Sequence, residues 1–261
     1  TPKLYRGQTV TLEGRAKESR GSASIRLFAR CFTSEEGSNV SNGTKLVCGE
    51  AVKLDEGESF ALTLPVPGER GFPVKDVGVE ITGGPDAAGS VLIDAVRYHG
   101  EPDLHIPDEL PRHKDKGGDV LGWVADADLV MAKFPQDSQP MTYFGKNEGR
   151  GVLITGTDDW TDYTISSRFA IALADSGGLI ARYQGLQRFI ALVKTADSLK
   201  LVLNYYGETV LGEKPCQWEV GELHDLALTV TGATIVAHLD GQNVLRADDD
   251  TLLCGGAGYV V

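Results

Sequence analysis

The chain has 261 residues, with 37 acidic and 25 basic side chains and a formal net charge of −12. This length allows one large or two ordinary domains that fold without disulfides or metals. The negative charge repels phosphate backbones, so we expect no nucleic-acid partner. No apolar run approaches the about 20 residues that cross a bilayer, so we expect a soluble protein with no membrane partner, either cytoplasmic or secreted.

The start of the chain and its cysteines limit the classes of protein. Thr1 and Pro2 are not a translation start, so we expect a processed product or a piece of a longer protein. The four cysteines form no Cys-x-x-Cys pair, which indicates neither a zinc site nor a redox motif. We expect free thiols, with a disulfide between Cys31 and Cys48 as the alternative if the protein is exported.

The first hundred residues consist of short β-rich runs between turn-forming residues. Apolar and polar residues alternate in 24–30 and 60–64, which predicts strands with one buried face. The spacing of the runs is typical of a β-sandwich. The predicted strands are 8–16, 23–32, 44–54, 59–66, 76–82 and 90–98.

Residues 101–118 differ from what precedes them, because they hold three prolines, many charges and few apolar residues. This composition predicts a linker between a domain at 1–100 and a domain at 119–261. His105 and His113 lie in the linker without a carboxylate or cysteine at ligand spacing, so we interpret them as solvated histidines.

The second half returns to β-rich sequence. Asp240-Gly241 between two alternating runs predicts a two-residue hairpin. No stretch has a useful helical period, so the fold class is all-β, with two β-sandwich (jelly-roll) domains and few helices. The predicted strands are 120–125, 129–133, 151–155, 162–172, 199–205, 208–211, 224–231, 234–239, 243–247 and 257–261.

A further hairpin is predicted at 177–193, where two apolar runs flank a polar turn containing Gly185. Each arm carries an arginine beside an aromatic ring, Arg182-Tyr183 and Arg188-Phe189. Rings stack on the C–H faces of sugars and guanidinium groups donate to hydroxyls, so this pattern favours a sugar-binding surface. The alternative is that the rings belong to the core and the arginines are structural or solvated.

Ordered motifs in the second half carry a resemblance to a known family. They are Trp160-Thr161-Asp162-Tyr163, Gly178-Leu179-Ile180-Ala181-Arg182, Val230-Thr231-Gly232-Ala233-Thr234-Ile235, Asp240-Gly241 and Gly255-Gly256-Ala257-Gly258. Together they resemble a concanavalin/laminin-G-like domain over residues 119–261.

Two motifs in the first half, Arg6-Gly7-Gln8-Thr9-Val10-Thr11-Leu12 and Gly89-Ser90-Val91-Leu92-Ile93-Asp94-Ala95-Val96-Arg97, resemble the galactose-binding-like jelly roll of carbohydrate-binding modules. The resemblance implies a possible structural calcium ion at Asp94. Its usual acidic partner near the start of such modules is absent here, which favours a capped or salt-bridged Asp94.

The order of the two modules is similar to the C-terminal region of bacterial ADP-ribosylglycohydrolase-type proteins. This resemblance implies that a catalytic domain lies upstream in the same chain. Trp123-Val124 and 147–151 contribute to it.

Motifs for nucleophilic, zinc-dependent or phosphate-binding chemistry are absent from the sequence. Acidic clusters occur at Asp158-Asp159 and at 248–250, but neighbours on a strand point to opposite faces and do not form a catalytic pair. We therefore predict no catalytic residue. The predicted carbohydrate-binding residues are Arg182, Tyr183, Gln184, Arg188, Trp160 and Asp158. Alternation places Arg182 and Gln184 on one face and Tyr183 on the other, so only part of this set can share a surface.

These features favour a non-catalytic carbohydrate-binding or accessory region of a larger glycoside-processing protein. Two alternatives stay open. The concanavalin-like domain is a glycoside hydrolase or lyase, which predicts a cleft with converging carboxylates. Otherwise both domains are structural or oligomerisation modules, which predicts large apolar patches.

Overall fold

The computed structural model of the protein describes residues 3–34, 40–68, 71–106, 109–113, 120–131 and 141–261. The described residues form strands and no helix, so the all-β prediction is confirmed. None of them belongs to a helix that could span a membrane. The strands are β1 Thr9–Arg20, β2 Ala23–Ser34, β3 Val40–Cys48, β4 Val52–Lys53, β5 Ser59–Pro65, β6 Val74–Gly83, β7 Ala88–His99, β8 Arg112–His113, β9 Val124–Asp126, β10 Leu129–Met131, β11 Tyr143–Gly145, β12 Val152–Thr155, β13 Tyr163–Phe169, β14 Gly177–Gly185, β15 Arg188–Lys194, β16 Ser198–Tyr205, β17 Glu208–Pro215, β18 His224–Thr231, β19 Thr234–Leu239, β20 Gln242–Asp248 and β21 Gly256–Val260.

The chain divides into two compact units. The N-terminal unit consists mainly of Lys3–Gly122, and the C-terminal unit mainly of residues 123–261. Each unit is a β-sandwich with its own hydrophobic core.

The N-terminal unit packs a three-stranded sheet, in the order β5-β1-β7, against a second sheet built around β2. β6 pairs with one edge of β2, and β3 and β4 pair with its other edge. Burial alternates strictly along β5, where Phe60, Leu62 and Leu64 are buried and their neighbours are exposed. These three side chains belong to the core, as the alternation in the sequence predicts.

Two details of this unit differ from the sequence prediction. The single strand predicted at 44–54 is two strands, because β3 ends at Cys48 and β4 covers only Val52–Lys53. The segment predicted as a linker contributes β8, which pairs in parallel with β3. Leu110 in the same segment is only 6% exposed, so this apolar side chain is buried and does not lie in solvent as a linker residue would. His105 is exposed, and the side chain of His113 lies outside the described residues.

All four cysteines are free thiols, so the alternative of a disulfide between Cys31 and Cys48 is wrong. Both lie in the β2–β3 pair, but Cys31 is opposite Lys45 and Cys48 is opposite Phe28. The ladder register therefore separates the two sulfur atoms along the sheet instead of placing them face to face.

The C-terminal unit packs a seven-stranded sheet, in the order β17-β16-β15-β14-β21-β12-β9, against a four-stranded sheet, in the order β13-β18-β19-β20. The hairpin predicted around Gly185 is confirmed as β14 and β15, and the Asp240-Gly241 hairpin as β19 and β20. The core between the two sheets includes Leu192, Leu201 and Leu228, each fully buried.

The central strands of the seven-stranded sheet are buried on both faces. In β15, Ile190 and Leu192 point into the core between the sheets, whereas Phe189 and Ala191 belong to a separate apolar cluster. This explains why 189–193 reads as a continuous apolar run rather than as an alternating one. This second cluster is also buried, and the candidate site lies against it.

Candidate functional site

A β-bulge in β14 decides where the predicted site residues point. β14 pairs regularly with β15 from Gly177 to Ala181, and the register then shifts before Gly185. Arg182 lies in the left-handed region with φ of 52°, which is uncommon for a residue with a side chain. The bulge reverses the alternation, so Arg182 enters the interior and Tyr183 joins the apolar cluster around Phe189.

Arg182 is fully buried, with no exposed side-chain surface. Its guanidinium donates from Nη1 to the carbonyl of Leu252 at 2.8 Å and from Nη2 to the carbonyl of Gly232 at 2.6 Å. Asp162 lies 3.7 Å from Nη2 and supplies a partly exposed countercharge. A guanidinium in this position cannot reach a ligand at the surface, so the prediction that Arg182 contacts a glycan is corrected to a structural role.

Tyr163 completes this cluster from the four-stranded sheet. Its Oη accepts a 2.6 Å hydrogen bond from the backbone N–H of Arg182 and donates to the carbonyl of Gly256 at 2.9 Å. Burial raises the pKa of Tyr163 far above its ordinary value, so the phenol remains neutral. We call Arg182, Tyr163, Asp162 and the carbonyl groups that they bind the Arg182 cluster.

Three other predicted residues take part in packing or turns. Trp160 is half-buried and meets Tyr163 edge to face, with ring centroids 5.9 Å apart. Gln184 donates from Nε2 to the carbonyl of Cys254 at 2.9 Å. Asp158 is exposed in the turn before Trp160.

The two remaining predicted residues lie at the hairpin of β14 and β15. Arg188 is half-buried at the start of β15, where its Nη2 lies 3.4 Å from the carbonyl of Gln184. Tyr183 stacks on Phe189, with ring centroids 6.2 Å apart and an angle of 21° between the ring planes. Among the six predicted residues, Tyr183 is the one whose ring packs on the aromatic cluster around Phe189.

Arg150 covers the Phe189 ring, which is only 1% exposed, and places a guanidinium group above it. Its Cζ lies 5.4 Å from the ring centroid, within cation–π range. Arg150 also forms an ion pair with Glu208 in β17, whose side chain is about half exposed. We call Tyr183, Phe189, Arg150 and Glu208 the aromatic patch.

A second pair of charges lies near Tyr183. Lys146 forms a 2.7 Å ion pair with Asp126 at the end of β9, and Asp128 lies 3.9 Å from the same ammonium group. Burial raises the pKa of Tyr183, and the negative charge of Asp126 raises it further. The patch and this neighbouring pair together combine a neutral phenol, a stacked ring and two cation–carboxylate pairs.

Sequence reasoning missed Arg150, Glu208, Asp126 and Lys146. One signal for Glu208 exists in the hairpins, because Phe189 pairs with Asn204 and Asn204 pairs with Glu208. A correct register for β15 to β17 places Glu208 on the same face as Phe189, two strands away with Asn204 between them. The contribution of Arg150 has no such signal, since it comes from a loop 58 residues away from Glu208.

A calcium ion at Asp94 would need about six to eight oxygen ligands around it. Asp94 is half exposed and lies 3.9 Å from the guanidinium of Arg15. Among the residues that the structure describes, no group of three or more His, Cys, Asp or Glu side chains is placed to hold a metal ion. A lone carboxylate beside an arginine does not fit calcium.

No protein-family model and no curated protein matches the chain. Among solved structures, the chain is similar to the carbohydrate-binding module CBM66 from Bacillus subtilis, with 18% identity, a TM-score of 0.47, and 54% of this chain and 87% of that chain covered. It is also similar to a truncated AlyQ with CBM32 and alginate lyase domains, with 10% identity, a TM-score of 0.34, and coverage of 98% and 81%. The mouse laminin α1 chain, domains LG4-5, has 14% identity, a TM-score of 0.30, and coverage of 98% and 75%. These similarities are too weak to carry an argument about function.

Proposed function

We propose that the C-terminal unit binds carbohydrate through the aromatic patch, without catalysing a reaction on it. The observation that carries this proposal is the half-buried Tyr183 ring, stacked on Phe189 and flanked by charged side chains at the surface. An aromatic face packs against the C–H face of a sugar ring, and a guanidinium fork donates to its hydroxyls. Both groups are present within the patch.

The pairing of the carboxylates supports binding over hydrolysis. Glycoside hydrolysis needs one protonated acid and one free carboxylate on either side of the scissile bond. In the patch, Glu208 is paired with Arg150, and in the neighbouring pair Asp126 is paired with Lys146. Each carboxylate therefore has a cation as its ion-pair partner, and its remaining lone pairs can accept hydrogen bonds from hydroxyl groups.

We further propose an accessory role. The resemblance of the module order to the C-terminal region of ADP-ribosylglycohydrolase-type proteins supports a carbohydrate-binding region that serves a glycoside-processing domain upstream. Binding of a glycan holds such a domain near its substrate by raising the effective concentration.

Affinity electrophoresis of the 261-residue chain tests the proposal. The gels contain mixed-linkage β-glucan, inulin, xylan, alginate or carrageenan. The wild-type chain is expected to be retarded by at least one of them. Tyr183→Ala and Arg150→Ala are each expected to weaken binding by about tenfold, which corresponds to about 1.4 kcal/mol.

Arg168→Ala is the matched control for Arg150→Ala. Arg168 forms an exposed ion pair with Asp225 on the four-stranded sheet, so its removal changes the net charge equally without touching the patch. Retardation of Arg168→Ala should equal that of the wild type. The proposal is wrong if no polysaccharide retards the wild-type chain, or if folded Tyr183→Ala binds as well as the control.

A further inference from the structure

A second exposed aromatic surface lies where the β14–β15 turn adjoins the β16–β17 turn. Leu186 is 54% exposed, Tyr205 48% and Tyr206 68%. The backbone N–H of Tyr206 donates to the carbonyl of Gln187 at 2.9 Å, which joins the two turns. We call Leu186, Tyr205 and Tyr206 the tyrosine tip.

The two rings of the tip meet each other edge to face and not as a stack. Their centroids lie 5.2 Å apart and the ring planes form an angle of 76°, so the contact is edge to face. Tyr205 and Tyr206 therefore present aromatic faces in two directions, each with a phenol that can donate or accept a hydrogen bond.

The backbone at Tyr206 is strained. Its φ is 54°, in the left-handed region, and Gly207 follows it in the turn. A residue with a side chain adopts this conformation at a cost of about 1 kcal/mol, and Asn or Gly is the usual residue in such a turn. A mostly exposed tyrosine recovers little of that cost from packing within the chain. The strain therefore points to a role for the ring outside the fold.

The tip adjoins the aromatic patch through the β16–β17 turn. Asn204 pairs with Phe189 and with Glu208, and Tyr206 lies in the turn between Asn204 and Glu208. Tyr205 alternates to the opposite face of the sheet, as Arg188 across from it does. Glu208, which belongs to the patch, is separated from Tyr206 by Gly207 alone. We expect a ligand that covers both the patch and the tip to extend beyond one sugar ring.

We propose that the tyrosine tip is a second carbohydrate subsite, which binds further sugar rings of the same chain that occupies the aromatic patch. The ligand class is then an extended polysaccharide rather than a single terminal sugar. This inference rests on the proposed function and makes it more specific. An anionic membrane is not a fitting occupant, since the chain carries a net charge of −12.

Isothermal titration with a disaccharide and an octasaccharide prepared from the retained polysaccharide tests the inference. The variants are Tyr206→Asn and the double variant Tyr205→Ser/Tyr206→Asn. Asn tolerates the left-handed backbone, so both variants are expected to fold, and Tyr206→Asn should unfold at the same temperature as the wild type or higher. The double variant should bind the octasaccharide about tenfold more weakly. Its binding of the disaccharide should not change.

The outcomes separate the subsite from the patch. Tyr183→Ala should weaken binding of both oligosaccharides, because it removes the patch. If the double variant binds the octasaccharide as tightly as the wild type does, the tip is not a subsite, although the patch proposal stands. If the double variant loses both ligands equally, the tip does not act as an extension. If the wild type binds no saccharide, or the tip variants lose only a protein partner, the inference is overturned.

Discussion

Arg182 and Tyr183 are neighbours in sequence, but they lie in two different regions of the C-terminal unit. The Arg182 cluster is buried, and backbone carbonyls at 2.6 and 2.8 Å bind its guanidinium. In the aromatic patch, charged side chains pair with each other at the surface and the Tyr183 ring is half-buried. Groups held by backbone carbonyls stabilise the fold, whereas surface pairs can exchange partners with a ligand.

The largest expected effect is that of Arg182→Ala on stability. The variant removes a buried cation and leaves the carbonyls of Leu252 and Gly232 without donors, which should cost on the order of 3 kcal/mol or more in the free energy of unfolding. All three tryptophans of the chain lie in the C-terminal unit, so tryptophan fluorescence during urea unfolding reports on this unit.

Arg188→Ala is the matched control, because Arg188 begins the next strand and is half-buried at the hairpin. Its cost should be below about 1 kcal/mol. Equal midpoints for the two arginine variants would contradict the division between a structural cluster and a surface patch.

Tyr163→Phe should have the next largest effect. The variant keeps the ring but leaves the buried N–H of Arg182 without its acceptor and the carbonyl of Gly256 without a donor. The expected loss is about 1–3 kcal/mol in the free energy of unfolding, measured in the same way. Saccharide binding at the patch should persist under conditions where the variant is folded. A stability equal to that of the wild type would show that this hydroxyl does not hold the bulge.

A smaller, pH-dependent effect is expected where β18 begins and β19 ends. These two points are adjacent because the strands are antiparallel. His224 stacks on Trp218 and its Nδ1 lies 2.8 Å from Asp240. Burial lowers the pKa of His224, but hydrogen bonds and charge interactions with Asp240 and Glu222 outweigh burial and raise it. The pKa values of both carboxyl groups are lowered, with the hydrogen bond to His224 the first cause for Asp240 and that to the Glu219 backbone for Glu222.

The raised pKa stabilises the unit at pH values below the unfolded histidine pKa, and this contribution is lost as pH rises through the folded value. The lowered pKa values of the Asp240 and Glu222 carboxyl groups stabilise the unit at pH values above their unfolded pKa values. This contribution is lost as pH falls through the folded pKa values. The combined contribution is therefore largest between about pH 4.5 and 6.5. NMR titration of the His224 ring should show a lower pKa in Asp240→Asn than in the wild type. An unchanged pKa would exclude the pair as the cause.

The sequence predicts most strands because one-sided burial leaves a period of two, as in β5 and β18. It predicts β15 as a continuous apolar run because both faces of that strand are buried. The division of 44–54 into β3 and β4 has a signal that the sequence prediction did not use, because Gly49 and Glu50 interrupt the apolar residues directly after Cys48.

The candidate site was less predictable, for local and long-range reasons. Alternation assigns side chains to faces only where the strand is regular, and the bulge at Arg182 reverses that assignment. Its left-handed backbone places an arginine where glycine is usual, so the residue type gives no warning. The contact of Arg150 with Phe189 depends on tertiary packing of a loop that the strand pattern does not position.

The most direct test of the binding surface is chemical-shift mapping of the ¹⁵N-labelled chain with the octasaccharide from the retained polysaccharide. We expect the largest amide shifts at Tyr183, Phe189, Asn204 and Glu208, continuing to Tyr206. Shifts confined to the Arg182 cluster or to the N-terminal unit would contradict this expectation.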